Sequence, residues 1–393
     1  MQNRYGAALA RAHGDSGFID LINTNYHDAE LRYPADELAR LCADFYTQPA
    51  RAAYSPDPAG AAATRAAIAR WYAPRLAIDS DAVVVTASAS ESYGHIFAAL
   101  CPRGSKVLLP RPGYPLFEDV ARRHAIRVGY YPLSGPSWEP DVDAIEAAID
   151  ARTRALVLIS PNNPTGRCIP TATAARITAA CVEHDLLLVV DEVFSAYRYG
   201  PGESSHSGGQ IAAATPEARV CTINGASKLF AAPELKVSWI VVTGPDPARL
   251  AAIEALQIQN DLFLSAAPVN QYVVEQLLDT GADHTARIVA EVSQRRSAMI
   301  DALSHLRSAL PDTVTWCDPD GGIHLPLRLT VDGADDEQLA IELLERDRLN
   351  VHPGYLYGID DQTVLIASFL PDPATIREGV SRLGERLRAR ARS

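Results

Sequence analysis

Four side chains in this 393-residue chain have types and surroundings that bear on chemistry: Lys228, Asp191, Asn163 and Tyr114. Lys228 sits in a small-residue turn within the stretch Asn224-Gly-Ala-Ser-Lys-Leu-Phe-Ala-Ala-Pro-Glu-Leu-Lys-Val-Ser-Trp239, and Lys236 follows eight residues later. A lysine whose stem is packed and whose amine is neutral can attack an aldehyde carbon and hold it as a Schiff base. A lone lysine in a turn is more often simply solvated, so the partners decide. Asp191 ends the apolar run Leu186-Leu-Leu-Val-Val-Asp. An acid there can cap the next segment. It can also face a ring nitrogen and keep it protonated, because an opposite charge in low dielectric favours the charged form. Such a ring accepts electrons from a neighbouring carbanion. Asn163, in Ser160-Pro-Asn-Asn-Pro-Thr-Gly166, reads as an Asn-Pro turn or as an amide donor to a phenolate oxygen. Tyr114, in Arg111-Pro-Gly-Tyr-Pro-Leu-Phe117, reads as a packed aromatic or as one face of a stack on a flat ring. Ala89 and Ser90 open a helix after Thr86-Ala-Ser, and free N–H groups at a helix start suit a phosphate.

These residues need a scaffold that brings them to one edge. Short β-branched or apolar runs recur at 82–86, 106–110, 154–160, 186–191, 220–224 and 237–243, several with helical spacing between them. That alternation predicts an α/β fold: a large domain whose mainly parallel sheet is sandwiched by helices. In such sheets ligands bind beyond the carboxyl ends of the strands. Thr86-Ala-Ser, Ser160-Pro-Asn-Asn, Asp191-Glu and Asn224-Gly-Ala-Ser-Lys all fall there. After about residue 285 a long charged helix leads into shorter strands and a closing helix, which reads as a smaller α/β domain. The expected division is 1–45 as an N-terminal segment packing with the small domain, 46–285 as the large domain, and 286–393 as the small domain. The Gly- and Ser-rich stretch Gly202–Gly209 reads as a surface loop.

Composition narrows the class. The chain is 47% hydrophobic and 21% charged, a globular balance with length for two domains. A net charge of −12 offers no electrostatic footprint for nucleic acid or an anionic membrane. The apolar runs are of strand length, far too short for a bilayer, and the N-terminus has no signal-peptide apolar core. Six cysteines show no CxxC or metal spacing, so no metal site is expected and a reducing, cytoplasmic setting is.

Taken together, NNPTG, a strand-ending Asp-Glu, and Ser-Lys followed at eight residues by a basic side chain resemble the pyridoxal-phosphate enzymes of the aspartate-aminotransferase superfamily, fold type I, class I/II. The spacings are 28 residues from Asn163 to Asp191 and 37 from Asp191 to Lys228. The likeness runs from about Tyr54 to the final strand. It implies pyridoxal 5'-phosphate as cofactor, with Lys228 as the Schiff-base lysine and later the acid/base. It implies Asp191 on the ring nitrogen, Asn163 on the phenolate oxygen and Tyr114 stacked on the ring. Ala89, Ser90 and Lys236 would hold the phosphate. Tyr54 would reach the phosphate of a neighbouring subunit, so a homodimer with shared sites is implied. An amino acid or amine is the implied substrate.

The chain also departs from that pattern. Phe194 stands where the family has a tyrosine that hydrogen-bonds the phenolate, and Lys236 stands for an arginine. In Thr363-Val-Leu-Ile-Ala-Ser-Phe369, Ile366 occupies the place of the arginine that clamps the substrate's α-carboxylate. Arg32, Arg328, His324 and His352 are the candidates to replace it. An atypical carboxylate site leaves two outcomes open: transamination, or elimination, decarboxylation or cyclisation of a modified amino acid in specialised metabolism. The same fold also occurs in ligand-sensing regulators behind a helix-turn-helix module; with motifs starting by Tyr54, that arrangement is not expected here.

Overall fold

The computed structural model describes residues 3–14, 16–199, 207–331 and 335–391. Most of the loop at 202–209, with His206, lies outside the described residues. An N-terminal strand, β1 (Ile19–Asp20), is followed by eight strands of one sheet: β2 (Val83–Thr86), β3 (Lys106–Arg111), β4 (Arg127–Ser134), β5 (Glu139–Pro140), β6 (Thr153–Ile159), β7 (Leu187–Asp191), β8 (Val220–Gly225) and β9 (Ser238–Thr243). Their order is β2-β9-β8-β7-β6-β3-β4-β5. The pairs from β8 through β7, β6 and β3 to β4 are parallel; β9 lies antiparallel to both β8 and β2, and β5 antiparallel to β4.

The central strands carry little polar character because helices cover both faces. Leu188, Val190, Leu156 and Leu158 enter one core, and Val189, Leu187, Val157 and Ala155 enter the other. Every residue of β7 and β8 is buried. That leaves Asp191, the only acid in those two strands, as the point where the sheet meets chemistry.

A second sheet has the order β10-β11-β14-β13, built from β10 (Val314–Thr315), β11 (His324–Leu329), β13 (His352–Pro353) and β14 (Val364–Ser368), all antiparallel. Strand β12 (Leu349–Asn350) pairs instead with β1, so the N-terminal segment is tied to residues near the second sheet. The helix Arg4–Ala12 packs on Asp336–Asp347, and Tyr5 donates its hydroxyl to Asn350 at 2.6 Å. Alternation along β14 is clean: Val364 and Ile366 join the core containing Ile22 and Tyr357, while Leu365 and Ala367 face the opposite core. The helix Ala282–Ala309 runs before this sheet. Among the described residues no helix is long and apolar enough to cross a membrane, and no group of His, Cys, Asp and Glu is arranged to hold a metal ion.

Candidate active site

A cavity of about 450 Å³ opens at the carboxyl edge of the large sheet. Lys228, Asp191, Asn163, Tyr114, Phe194, Ala89 and Ser90 all line it. Asp191 ends a strand, and the others come from loops or helix starts that follow one, the edge predicted from the sequence.

Lys228 lies in the short helix Ala226–Leu229, directly after β8. Its amine sits 5.3 Å from the centre of the Tyr26 ring and 5.7 Å from that of Phe194. Tyr197 donates its hydroxyl to the Lys228 carbonyl at 2.9 Å, fixing the backbone. Burial pushes the amine down to about 8, because desolvation disfavours the ammonium. At pH 7 roughly a tenth of it is then neutral, against a few molecules in ten thousand for an exposed lysine. Tyr26 comes from the N-terminal segment, so that segment completes the lysine's pocket.

Asp191 accepts the Val193 N–H at 3.0 Å and the Tyr93 hydroxyl at 3.1 Å. Burial pushes its carboxyl up to about 6, while those two hydrogen bonds pull the other way. A cation brought to the carboxylate would lower it again. The sequence reading did not single out Tyr93; it lies in the helix Ala89–Leu100, fully buried, with its ring 4.3 Å from Phe117. Tyr93→Phe removes a hydrogen bond to a charged group, worth about 1.5–3 kcal/mol. We expect kcat/KM to fall about tenfold and its acidic limb to move to higher pH, since Asp191 must be ionised; an unmoved limb contradicts this role.

One corner of the cavity is formed by a capped helix start. Ser88 caps the helix through its hydroxyl, accepting the Glu91 N–H at 3.1 Å. The N–H groups of Ala89 and Ser90 belong to the first turn, where no intrahelical acceptor exists and the dipole favours an anion. Ser227, Gly225 and Ser238 line the same cavity. A Cβ added at Gly225 would meet Ser238 at 3.0 Å, so this wall has no room for a larger residue. Ser88, Ser227 and Ser238 were also missed; the only sequence signal was their adjacency to the named motifs.

Two of the residues named for the cofactor are not brought to the cavity. Lys236 takes a left-handed backbone, φ 50°, after the turn Pro233–Leu235, and its side chain is exposed outside the lining. Tyr54 is exposed and lines a different cleft of about 680 Å³, beside Arg51, Phe263 and Tyr272.

The far wall is supplied by the second sheet. Ile323 and His324 precede or start β11, His352 starts β13, and Tyr357 follows it; Ile22 and Thr24 close the rim. Burial, helped by the charges of Lys228 and His352, pushes His324 down to about 3; burial pushes His352 down to about 4. Arg328 is taken up elsewhere: its guanidinium donates to the Gly135 and Pro136 carbonyls and to Gln362, over the Trp138 ring. Arg32 is exposed and does not line the cavity.

Several residues fit a phosphorylated pyridine aldehyde. Asn163 Oδ1 is buried with no hydrogen-bond partner among the described residues, and the side chain lines the cavity. Lys228 offers a partly neutral amine, Asp191 a buried carboxylate, and the helix start an anion seat.

Known proteins share this chain's sequence pattern and fold. The family model for aminotransferase class I and II matches residues 17–383. An alanine aminotransferase of Mycobacterium bovis is 27% identical over 339 residues, covering 84% of this chain and 77% of its own. The glutamate-pyruvate aminotransferase AlaA of Haemophilus influenzae is 24% identical over 337 residues, covering 83% and 81%. Among solved structures, an alanine aminotransferase from Pyrococcus furiosus superposes with a TM-score of 0.88 at 22% identity, over 98% of this chain and 95% of its own. A tyrosine aminotransferase from Leishmania infantum gives 0.85 at 20% identity, over 95% and 92%. At such identities the superpositions speak for the fold, whereas the family match spans nearly the whole sequence. The chain is an enzyme of the aminotransferase class I and II family.

Proposed function

We propose that the enzyme is a pyridoxal 5'-phosphate-dependent aminotransferase acting on an amino acid or amine through Lys228, with an atypical carboxylate site. The observation that carries this reading is the convergence of Lys228, Asp191, Asn163 and a helix N-terminus on one cavity. The cofactor, when bound, supplies an electron sink for the carbon that loses a proton. Lys228 Nζ would hold the cofactor's aldehyde carbon; once freed by the incoming amine, it would take the proton from the substrate's amine-bearing carbon and deliver it to the carbon that had been the aldehyde. Asp191 would keep the ring nitrogen protonated, and Tyr93 orients that carboxylate. Asn163 would donate to the phenolate oxygen, Tyr114 would cover the ring, and Ala89 and Ser90 would bind the phosphate through their N–H groups.

Phe194 offers the phenolate no hydroxyl. Introducing one with Phe194→Tyr should lower the pH midpoint of the visible-absorption titration of the cofactor-loaded protein by about one to two units. An unchanged or higher midpoint contradicts the assignment.

The two sheets and the tie between β1 and β12 support a division at about residues 45 and 285. A second copy of the chain would cover the exposed Tyr46, Tyr54, Leu262 and Phe263, and Tyr54 would then act in the neighbour's site, in a cytoplasmic homodimer. Lys236, outside the cavity, would serve the phosphate only after its side chain swings inward.

A second reading is favoured by Ile366, which removes the usual control over which bond stands across the ring: elimination, decarboxylation or cyclisation of a modified amino acid. The two are separated by mixing the loaded enzyme with amino donors in the absence of an acceptor. Stoichiometric appearance of pyridoxamine phosphate supports transamination. Release of ammonia or carbon dioxide with the cofactor unchanged supports the second reading.

A further inference from the structure

The register of the second sheet says what the far wall can recognise. His352 pairs with Ile366 and His324 pairs with Ser368, so these four side chains share one face of the sheet. That face is turned towards the cavity: Ile366 packs in the same core as Ile22 and Tyr357, both of which line it. Position 366 is therefore where a cation would stand, and isoleucine fills it completely buried. Among the described residues that line the cavity, Lys228 is the one lysine and there is no arginine. What remains on the wall is two imidazoles and a phenol. His352 Nδ1 and the Tyr357 hydroxyl are 2.9 Å apart. Such a pair can reverse its donor and acceptor roles with the tautomer, so it can serve a hydroxyl or a carbonyl oxygen. An anion buried against it would lack a fixed counter-charge, which is costly.

Resting on the aminotransferase reading above, we propose that the substrate is a primary amine whose neighbouring carbon carries a neutral oxygen function, as an alcohol, an amide or an ester, instead of a free carboxylate, and that His352 and His324 bind that oxygen. Both imidazoles are neutral at pH 7, in keeping with a neutral guest. Tyr357 is a positioning residue that sets the tautomer of His352.

The test is a set of matched donors, namely alanine, phenylalanine and arginine, each with its amino alcohol, amide and methyl ester. Turnover of the holoenzyme and calorimetric binding to it are measured at pH 7.5. The neutral members should surpass the parent acid at least tenfold in kcat/KM and in affinity; the separate arms show which oxygen function is preferred. His352→Phe should raise KM for the best neutral donor about tenfold with kcat changed much less. Ile366→Arg should shift preference towards the acids. Tighter binding and faster turnover of the free acids by the wild-type enzyme would overturn the proposal, whatever the folding of the variants. If no donor turns over, the aminotransferase reading fails, and the calorimetric ranking still decides the proposal. If acids turn over best and Lys228→Ala abolishes it, the aminotransferase reading stands and this proposal falls.

Discussion

Lys228→Ala should abolish turnover, with a loss of at least about 10⁴-fold, on the scale seen when a nucleophile that also moves protons is removed. The fold should remain. Burial holds the Lys228 amine at about 8, below its unfolded value, so the protonated amine costs folding energy. That cost is full below about pH 8 and fades as pH rises towards the unfolded value near 10.5. The cofactor-free variant should therefore be more stable than wild type at pH 7, by on the order of 1–3 kcal/mol before the lost stem packing is counted. The difference should shrink at pH 10. Residual turnover within tenfold of wild type contradicts the role of Lys228; a stability difference between variant and wild type that does not change from pH 7 to pH 10 contradicts the account of its burial.

Asp191→Asn is the second large effect. The substitution keeps the shape and an acceptor for the Val193 N–H, and removes the charge. We expect turnover to fall by about 10²–10³-fold, the scale of losing one fixed electrostatic stabiliser in a closed site. Stability should move the other way in the cofactor-free protein. The folded carboxyl titrates at about 6, above its ordinary 3.8, so the stability tied to its proton is full below about pH 3.8 and lost as pH rises through about 6. At pH 8 the asparagine variant should melt higher than wild type without cofactor, and gain less when cofactor is added. Equal thermal shifts on cofactor addition would show that the carboxylate does not face a bound cation.

Much of this was legible in the chain for physical reasons. Leu187–Asp191 and Val220–Gly225 are buried on both faces, so they read as apolar runs, and an acid or a Ser-Lys turn at their ends stands out. The helix that ends at Leu100 begins at Ala89, where the sequence places its opening, because the start is set by the Ser88 cap. Strand β4 escaped notice because it starts with Arg127 and is largely exposed. The antiparallel direction of β9 also left no mark, since a buried run reads alike both ways. Tyr93 reads as an ordinary core residue; only the lie of its helix over β8 and β9, beside the end of β7, delivers its hydroxyl to Asp191. The eight-residue step to Lys236 was visible, but its outward side chain depends on the left-handed backbone there. The meeting of His324 and His352 beside Ile366 depends on pairing across segments tens of residues apart.

The central claim is that Lys228 carries the cofactor. Protein incubated with pyridoxal 5'-phosphate and reduced with borohydride should carry one phosphopyridoxyl group per chain, located by peptide mass spectrometry on the peptide containing Lys228. An unmodified Lys228, or a label confined to other lysines, would contradict the account.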